Sequence, residues 1–151
     1  MQLTQFSDYS LRVVLYLTAH QGRVVPLPEI SRAYGVSHHH LVKVVRRLAE
    51  EGLVESVRGR AGGVRLGRPP AEINVGALVR RTEPHLDLVE CFDKATNTCP
   101  IDGVCGLKGA LKRATAAFLE VLDGHTLADF APRAPTLIRV WREHAERGLD
   151  G

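Results

Sequence analysis

One stretch decides the fold: PEISRAYGVSHHHLVKVVRRLAEE, which spans residues 28–51. Pro28 suits the first turn of a helix, and Tyr34-Gly35 is a typical helix end. Ser37 is a favourable N-cap for a second helix that runs to about Glu51. Two helices joined by a short turn with glycine predict a helix-turn-helix. Four apolar residues of the second helix recur at helical spacing and predict one buried stripe: Leu41, Val44, Val45 and Leu48.

The segments on either side extend this motif into a domain. Apolar residues at mostly helical spacing from Leu3 to Ala19 predict a preceding helix. Residues 53–57 and 64–66 are typical of two short strands, and the tip between them is basic and rich in glycine. The prediction is a mostly α protein with a winged helix-turn-helix DNA-binding domain over residues 1–82.

Positive charge is concentrated in the front of the chain. Residues 1–70 hold 10 Lys and Arg against 5 Asp and Glu, whereas residues 71–151 hold 10 against 12. The second helix of a helix-turn-helix enters the major groove by its N-terminal end, cations contact phosphates, and arginine favours the minor groove. The start of that helix and the wing tip therefore supply the predicted DNA contacts: Ser37, His38, His39, His40, Lys43, Arg46, Arg47, Arg58 and Arg60.

Two other interpretations of this region are weaker. The helices could form a core used for protein contacts alone, but the helix pattern, the basic tip and the charge distribution together favour DNA. The run His38–His40 could bind a metal ion, but three consecutive helical residues point in different directions and do not converge on one ion.

Three cysteines lie in residues 83–106, a segment without clean periodicity that we treat as an ordered loop. Cys91, Cys99 and Cys105 follow the pattern C-x7-C-x5-C, which is neither a zinc knuckle nor a ferredoxin run. The cysteines could hold an iron-sulfur cluster, bind zinc, form one reversible disulfide or share no role, and the cluster leads among these. A cluster usually takes four protein ligands. Candidates for the fourth are Asp8, His85, Glu90, Asp93, Asp102 and His125.

Residues 107–151 are predicted to be helical. A long amphipathic helix spans residues 107–122, Gly124 is its expected end, and further helix is expected at residues 126–130 and 136–147. The apolar stripe of the long helix needs a partner. Either the first helix or the same helix of a second subunit could provide one, and twofold dimers are the commonest assembly.

Composition excludes several classes of protein. A hydrophobic content of 44% and a charged content of 25% are ordinary for a globular protein. No apolar run approaches the roughly 20 residues of a membrane span, and the N-terminus has no signal-peptide pattern. We therefore expect a cytoplasmic protein without a membrane partner. We find no nucleophile–base arrangement and no phosphate-binding glycine loop, so we do not expect an enzyme.

Four segments, in this order and spacing, resemble a known family: MQLTQFSDYSLR, YGVSHHHLVKVVRRL, RGRAGGVRLG and CGLKGAL, followed by LADF. The chain resembles, to about Phe130, the NsrR-like nitric-oxide-responsive repressors, which are relatives of the iron-sulfur regulator IscR. IscR-like proteins carry a histidine three residues after the third cysteine, where this chain has Lys108. That difference disfavours an IscR assignment.

The resemblance implies a site and a mechanism. It implies a homodimer that crosses at residues 107–122 and a [4Fe-4S] cluster, in preference to [2Fe-2S], on the three cysteines. The fourth ligand would be an aspartate of the partner subunit that aligns with Asp8, and Arg12 would lie near the cluster. The dimer would bind double-stranded, palindromic operator DNA and release it when nitric oxide nitrosylates the cluster. The alternative is a zinc- or thiol-redox-dependent winged-helix regulator.

Overall fold

The computed structural model describes residues 2–147, so the predicted domain limits at residues 1 and 151 lie outside the described residues. Three short 3-10 segments occur at Pro70–Glu72, Glu90–Phe92 and Leu127–Arg133. The helices and strands in chain order are α1 (Gln5–Ala19), α2 (Leu27–Tyr34), α3 (His38–Glu50), β1 (Val54–Val57), β2 (Gly63–Leu66), α4 (Val75–Thr82), α5 (Gly106–Asp123) and α6 (Ala134–Arg147). The mostly helical winged helix-turn-helix predicted from the sequence is confirmed.

The core forms where α1 packs against α3. Thr4 caps α1 by accepting a hydrogen bond from the Ser7 N–H at 3.2 Å, so the helix begins two residues later than predicted. Val13, Val14 and Leu17 of α1 are at most 2% exposed. All four residues of the predicted α3 stripe are buried with them, which fixes α3 to the rest of the domain: Leu41, Val44, Val45 and Leu48.

The turn between α2 and α3 depends on Gly35. Its φ of +62° lies in the left-handed region, which favours glycine. The Val36 N–H donates to the Ser31 carbonyl at 3.0 Å, and the Ser31 hydroxyl donates back to the Val36 carbonyl at 2.5 Å. Ser37 occupies the predicted N-cap position of α3, but its side chain makes no capping hydrogen bond. The hydroxyl at the start of α3 is thus available to a ligand.

The wing is an antiparallel pair in which Val54 lies opposite Leu66 and Val57 opposite Gly63. A third backbone segment joins it, because Val25 and Val64 exchange two N–H to carbonyl bonds of 2.8 Å. A Cβ on Gly63 would lie 2.3 Å from the Val25 carbonyl oxygen. Glycine is therefore required at the point where the wing joins the segment before α2.

Helix α6 packs across α1 and α2 through one large side chain. Trp141 is 7% exposed, and its ring centroid lies 4.6 Å from that of Tyr16, 5.4 Å from that of Tyr34 and 6.2 Å from that of His20. The helix begins two residues before the predicted start at Thr136. Pro135 is tolerated because it lies in the first turn, where a backbone N–H is not needed.

The C-terminal end of α5 is fastened to α4. Asn74 caps α4 by accepting a hydrogen bond from the Ala77 N–H at 2.9 Å, and its amide also donates to the Asp123 carbonyl at 2.7 Å. Arg80 donates to both carboxylate oxygens of Asp123, at 2.5 and 2.7 Å. A Cβ on Gly76 would lie 2.0 Å from the Asp123 side chain. The two helices therefore meet at a distance that only glycine permits.

The rest of α5 has little cover. It packs mainly on α4 rather than on α1, which was one of the two partners considered from the sequence. In the part of the chain that the structure describes, none of its 18 residues is buried. Leu107 is 65% exposed and Val121 is 64% exposed. No helix within residues 2–147 is both long enough and apolar enough to cross a membrane.

Candidate functional site

The residues predicted to contact DNA form one exposed region on α3 and the wing. All nine of these side chains are exposed, whereas the stripe on the opposite face of α3 is buried. The nine exposed residues are Ser37, His38, His39, His40, Lys43, Arg46, Arg47, Arg58 and Arg60. Within the described residues, Lys43, Arg58 and Arg60 form no ion pair. Their charges are therefore available to phosphate.

The two arginines near the end of α3 differ in how readily they can bind a DNA phosphate. The side chain of Arg46 is 83% exposed and pairs only with Glu50, at 3.2 Å. Exposed pairs of this kind are worth about 0–1 kcal/mol, so Arg46 can exchange Glu50 for a phosphate at little cost. Arg47 pairs with Glu51 at 2.9 Å, and Glu51 also pairs with Arg81 of α4 at 3.0 Å. Arg47 thus belongs to a network that ties α3 to α4.

The wing tip is shaped by glycine. Gly59 has a φ of +113°, and its carbonyl accepts from the Gly62 N–H at 3.0 Å. A Cβ on Gly62 would lie 2.7 Å from the Val57 carbonyl oxygen. This tight turn places Arg58 and Arg60 at the far end of the strand pair. Arg65, lower on the wing, is instead paired with Glu55 of the facing strand at 2.9 Å.

The cysteine loop is held by polar contacts. Cys91 lies in the 3-10 segment Glu90–Phe92, Cys105 is the N-cap of α5, and all three cysteines are free and half-buried. Glu90 closes the loop by accepting from the Thr98 N–H at 2.7 Å and from the Thr98 hydroxyl at 2.6 Å. Apolar burial contributes little to the stability of this loop. A bound ligand would therefore add to its stability.

Lys108 lies among these cysteines. Its ammonium group pairs with Asp102, and its side chain is only 16% exposed. The hydrogen bond that Lys108 donates to the Asp102 carboxylate raises the pKa of Lys108, and the negative charge available at Cys91 and Cys99 raises it further. The sequence identified this position as unusual but did not reveal the contact with Asp102. Lys108 therefore supplies positive charge where three thiolates would gather.

Most candidates for a fourth ligand have other partners. Glu90 bonds to Thr98, Asp102 pairs with Lys108, and His125 lies 3.3 Å from Asp129. Asp93 accepts from the Ala95 N–H at 2.9 Å and from the Thr96 hydroxyl at 2.8 Å. Within residues 2–147, no three His, Cys, Asp or Glu side chains are grouped so that they could hold a metal ion. One chain therefore carries three cysteines on one short segment but does not bring their thiols together into a metal site.

Asp8 and Arg12 form a separate pair on α1. Their side chains are about equally exposed, 44% and 40%, and their closest nitrogen–oxygen distance is 2.8 Å. The Arg12 guanidinium lies 5.8 Å from the ring centroid of Tyr9 and 5.6 Å from that of Tyr34. Tyr9 lies one turn before Arg12 on the same helix, whereas no local sequence pattern connects Arg12 with Tyr34 at the end of α2. Asp8 also lines an open pocket of about 630 Å³.

The chemistry of the loop fits an iron-sulfur cluster. Thiolate is the ligand that such clusters prefer, and three thiols lie on one short segment. Cys105 caps an 18-residue helix, and the N-terminal end of a helix favours negative charge. Lys108 adds a positive charge beside it. An anionic cluster with three cysteine ligands suits these surroundings.

Comparison with known proteins decides the family. A family model described as Rrf2, iron-dependent transcriptional regulator, matches residues 3–133. The chain belongs to the Rrf2 family. As an Rrf2 protein it is a DNA-binding transcriptional regulator and not an enzyme. Helix α6 begins just after the matched range.

Individual Rrf2 relatives agree with this assignment. The HTH-type transcriptional regulator NsrR of Bacillus subtilis is 45% identical over 141 residues, which cover 93% of this chain and 97% of that one. The solved structure of T. potens IscR matches with a TM-score of 0.71 at 29% identity, covering 89% of this chain and 88% of that one. CymR, the global cysteine regulator of B. subtilis, matches with a TM-score of 0.71 at 28% identity, over 87% and 97% of the two chains.

Proposed function

We propose that this Rrf2 protein is a nitric-oxide-responsive repressor. As a homodimer with an intact [4Fe-4S] cluster it binds a palindromic operator, and it releases the DNA after the cluster reacts with nitric oxide. The observation that carries the proposal is the short loop with three free, half-buried cysteines, which the described chain alone does not assemble into a metal site. The similarity to NsrR proteins supports nitric oxide as the signal.

The proposed ligands come from two subunits. Cys91, Cys99 and Cys105 would hold the cluster in one subunit, and Asp8 of the partner subunit would supply the fourth ligand. The exposure of Asp8 supports this, because a side chain 44% exposed on α1 is open to a second chain. When bound, the cluster supplies iron that reacts with nitric oxide. We propose that Arg12, which pairs with Asp8 here, adjusts the position of the carboxylate.

Helix α5 supports the proposed dimer. Its apolar residues Leu107 and Val121 are mostly exposed within the described chain. Twofold symmetry would bring the same stripe from a second copy against them, which would remove apolar surface from water. The N-terminal end of α5 carries Cys105. A dimer built on α5 would therefore place each cysteine loop close to the other subunit.

The chain itself connects α1 to the cysteine loop and to α3. The carboxylate of Glu83, the first residue of the loop, accepts from the Thr4 N–H at 2.7 Å and from the Thr4 hydroxyl at 3.0 Å. Helix α1 shares the core with α3. A contact made by Asp8 on α1 would therefore influence the position of α3. Since half-sites repeat at about 10–10.5 base pairs, a small change in the separation of two α3 helices would weaken operator binding.

On DNA, we propose that the start of α3 lies in the major groove. Ser37, His38 and His39 carry hydrogen-bonding groups there, and His40 lies beside Tyr9 of α1, with 6.1 Å between ring centroids. Lys43 and Arg46 would contact phosphates. We propose that Arg58 and Arg60 at the wing tip contact the minor groove. Arg47 would support α3 on the side that faces α4.

The proposal is tested by mixing two defective variants. Asp8→Ala and Cys105→Ala are purified anaerobically, and their iron, sulfide and visible spectra are compared with those of the wild type. We expect about four irons and four sulfides per wild-type chain, and much less in either variant. Mixed dimers should regain one cluster per dimer, because the Asp8→Ala chain keeps its cysteines and receives Asp8 from the other chain.

Two results would count against the site. Mixed dimers that regain no cluster would exclude Asp8 of the partner subunit as the ligand. A colourless wild-type protein that contains zinc, or no metal and no sulfide, would instead favour the zinc- or thiol-redox-dependent regulator.

A further inference from the structure

One apolar residue interrupts the polar face of α3. Val42 is 45% exposed, although its neighbours Leu41 and Val44 are buried in the core. It lies one helical turn after His38 and one turn before Arg46, so the three side chains share a face. The cationic Lys43 is adjacent in sequence. The apolar contact surface of Val42 is therefore surrounded by groups suited to DNA.

Helix stability does not account for a valine at this position. A β-branched side chain loses rotamer freedom in a helix, and alanine or a straight-chain residue is preferred where packing does not decide. Nearly half of Val42 has no protein contact. Its side chain lies at the edge of an apolar groove of about 620 Å³ between α3 and the wing, where Ala49 and Val64 are further lining residues. The surface thus offers an apolar contact next to cations.

We propose that Val42 is a specificity-determining residue that recognises a thymine of the operator through its 5-methyl group. Thymine alone presents a methyl group in the major groove, and apolar side chains are its usual partners. The surrounding charge favours DNA over an apolar protein partner, because His39, Lys43 and Arg46 would be poorly placed against a hydrophobic surface. The proposal rests on the proposed function, which places α3 in the major groove.

The test removes the methyl group from either side of the contact. An operator is first selected from random-sequence duplex DNA with the anaerobically purified wild-type protein, and each thymine is then replaced singly by deoxyuridine, which lacks only the 5-methyl group. Kd is measured for the wild type, Val42→Ala and Val140→Ala. Val140 is a matched control because it is a valine 46% exposed on α6.

We expect one thymine in each half-site whose replacement weakens wild-type binding about fourfold, the factor that corresponds to burial of one methyl group. Val42→Ala should bind the thymine operator about as weakly as the wild type binds the deoxyuridine operator, and should lose nothing further on replacement of that thymine. Val140→Ala should behave as the wild type. Equal deoxyuridine effects in the wild type and Val42→Ala at every thymine would overturn the proposal.

Lys43→Ala and Arg46→Ala separate this failure from failure of the proposed function. If both variants bind the operator more weakly while the deoxyuridine effects remain equal, α3 contacts DNA and only the role of Val42 is wrong. If neither variant changes binding, the placement of α3 in the major groove is wrong and the Val42 proposal falls with it.

Discussion

Substitution of Trp141 by alanine should detach α6 from the helix-turn-helix. Trp141 is 7% exposed and is the only tryptophan of the chain. Its ring contacts those of Tyr16 in α1 and Tyr34 at the end of α2, with centroids 4.6 and 5.4 Å apart. No other residue of α6 is buried in the described structure. Trp141 is therefore the one buried anchor of α6, beside the partly buried Leu137 and Ile138.

The magnitude follows from this burial. A buried tryptophan replaced by alanine costs about 3–5 kcal/mol in free energy of unfolding. For a chain of about 150 residues, each kcal/mol lowers Tm by roughly 2–4 °C. We therefore expect Tm to fall by roughly 6–20 °C. Trp141→Phe should lose much less, because it keeps an aromatic ring against Tyr16.

The assay is thermal unfolding followed by far-UV circular dichroism at equal protein concentration. Val140→Ala is the control, since Val140 is 46% exposed on the same helix. Exposed substitutions usually change stability by less than about 0.5 kcal/mol. In the wild type, tryptophan fluorescence should change together with the circular dichroism if α6 unfolds with the core. A Trp141→Ala protein with the same Tm as Val140→Ala would refute the role given to this contact.

Three further predictions concern α5 and its ends. Gly76→Ala should lower stability by about 1–3 kcal/mol in urea unfolding, because the added Cβ meets Asp123, and unchanged stability would show that the helices do not approach so closely. The Arg80 hydrogen bond lowers the pKa of Asp123, so this pair stabilises the fold above the ordinary carboxyl pKa, and the stabilisation is lost as pH falls through the lowered pKa. Asp123→Asn should make stability less dependent on pH between about pH 5 and pH 2, and an unaltered pH profile would contradict this. Lys108→Gln should lower the iron-to-protein ratio after anaerobic gel filtration, because Asp102 and the thiols lose their cation, whereas full retention would show that the cation is dispensable.

The sequence predicted what local patterns determine. The α3 stripe and the Gly35 turn each depend on residues within a few positions of one another, and both are present in the structure. Val25 joining the wing and Trp141 packing on α1 could not be predicted, since both are contacts between distant segments without a local signature.

The candidate site likewise combines features that have a local sequence pattern with features that do not. The three cysteines were found from their spacing, whereas the contact between Lys108 and Asp102 depends on the path of the loop. Neither the spacing nor the single chain identifies a fourth ligand, because no three His, Cys, Asp or Glu side chains in residues 2–147 are grouped for a metal ion. Only resemblance to known proteins distinguished Asp8 from the other candidates, and its role stays a prediction.

Operator binding during a nitric oxide titration tests the central claim most directly. Anaerobic protein with measured iron and sulfide is bound to its selected operator, nitric oxide is added stepwise, and the visible spectrum and the fraction of bound DNA are recorded on the same samples. The account predicts that the cluster absorbance and the bound fraction fall together, and that a Cys105→Ala protein shows neither the absorbance nor the response. Operator binding that persists after the cluster absorbance has disappeared would contradict it.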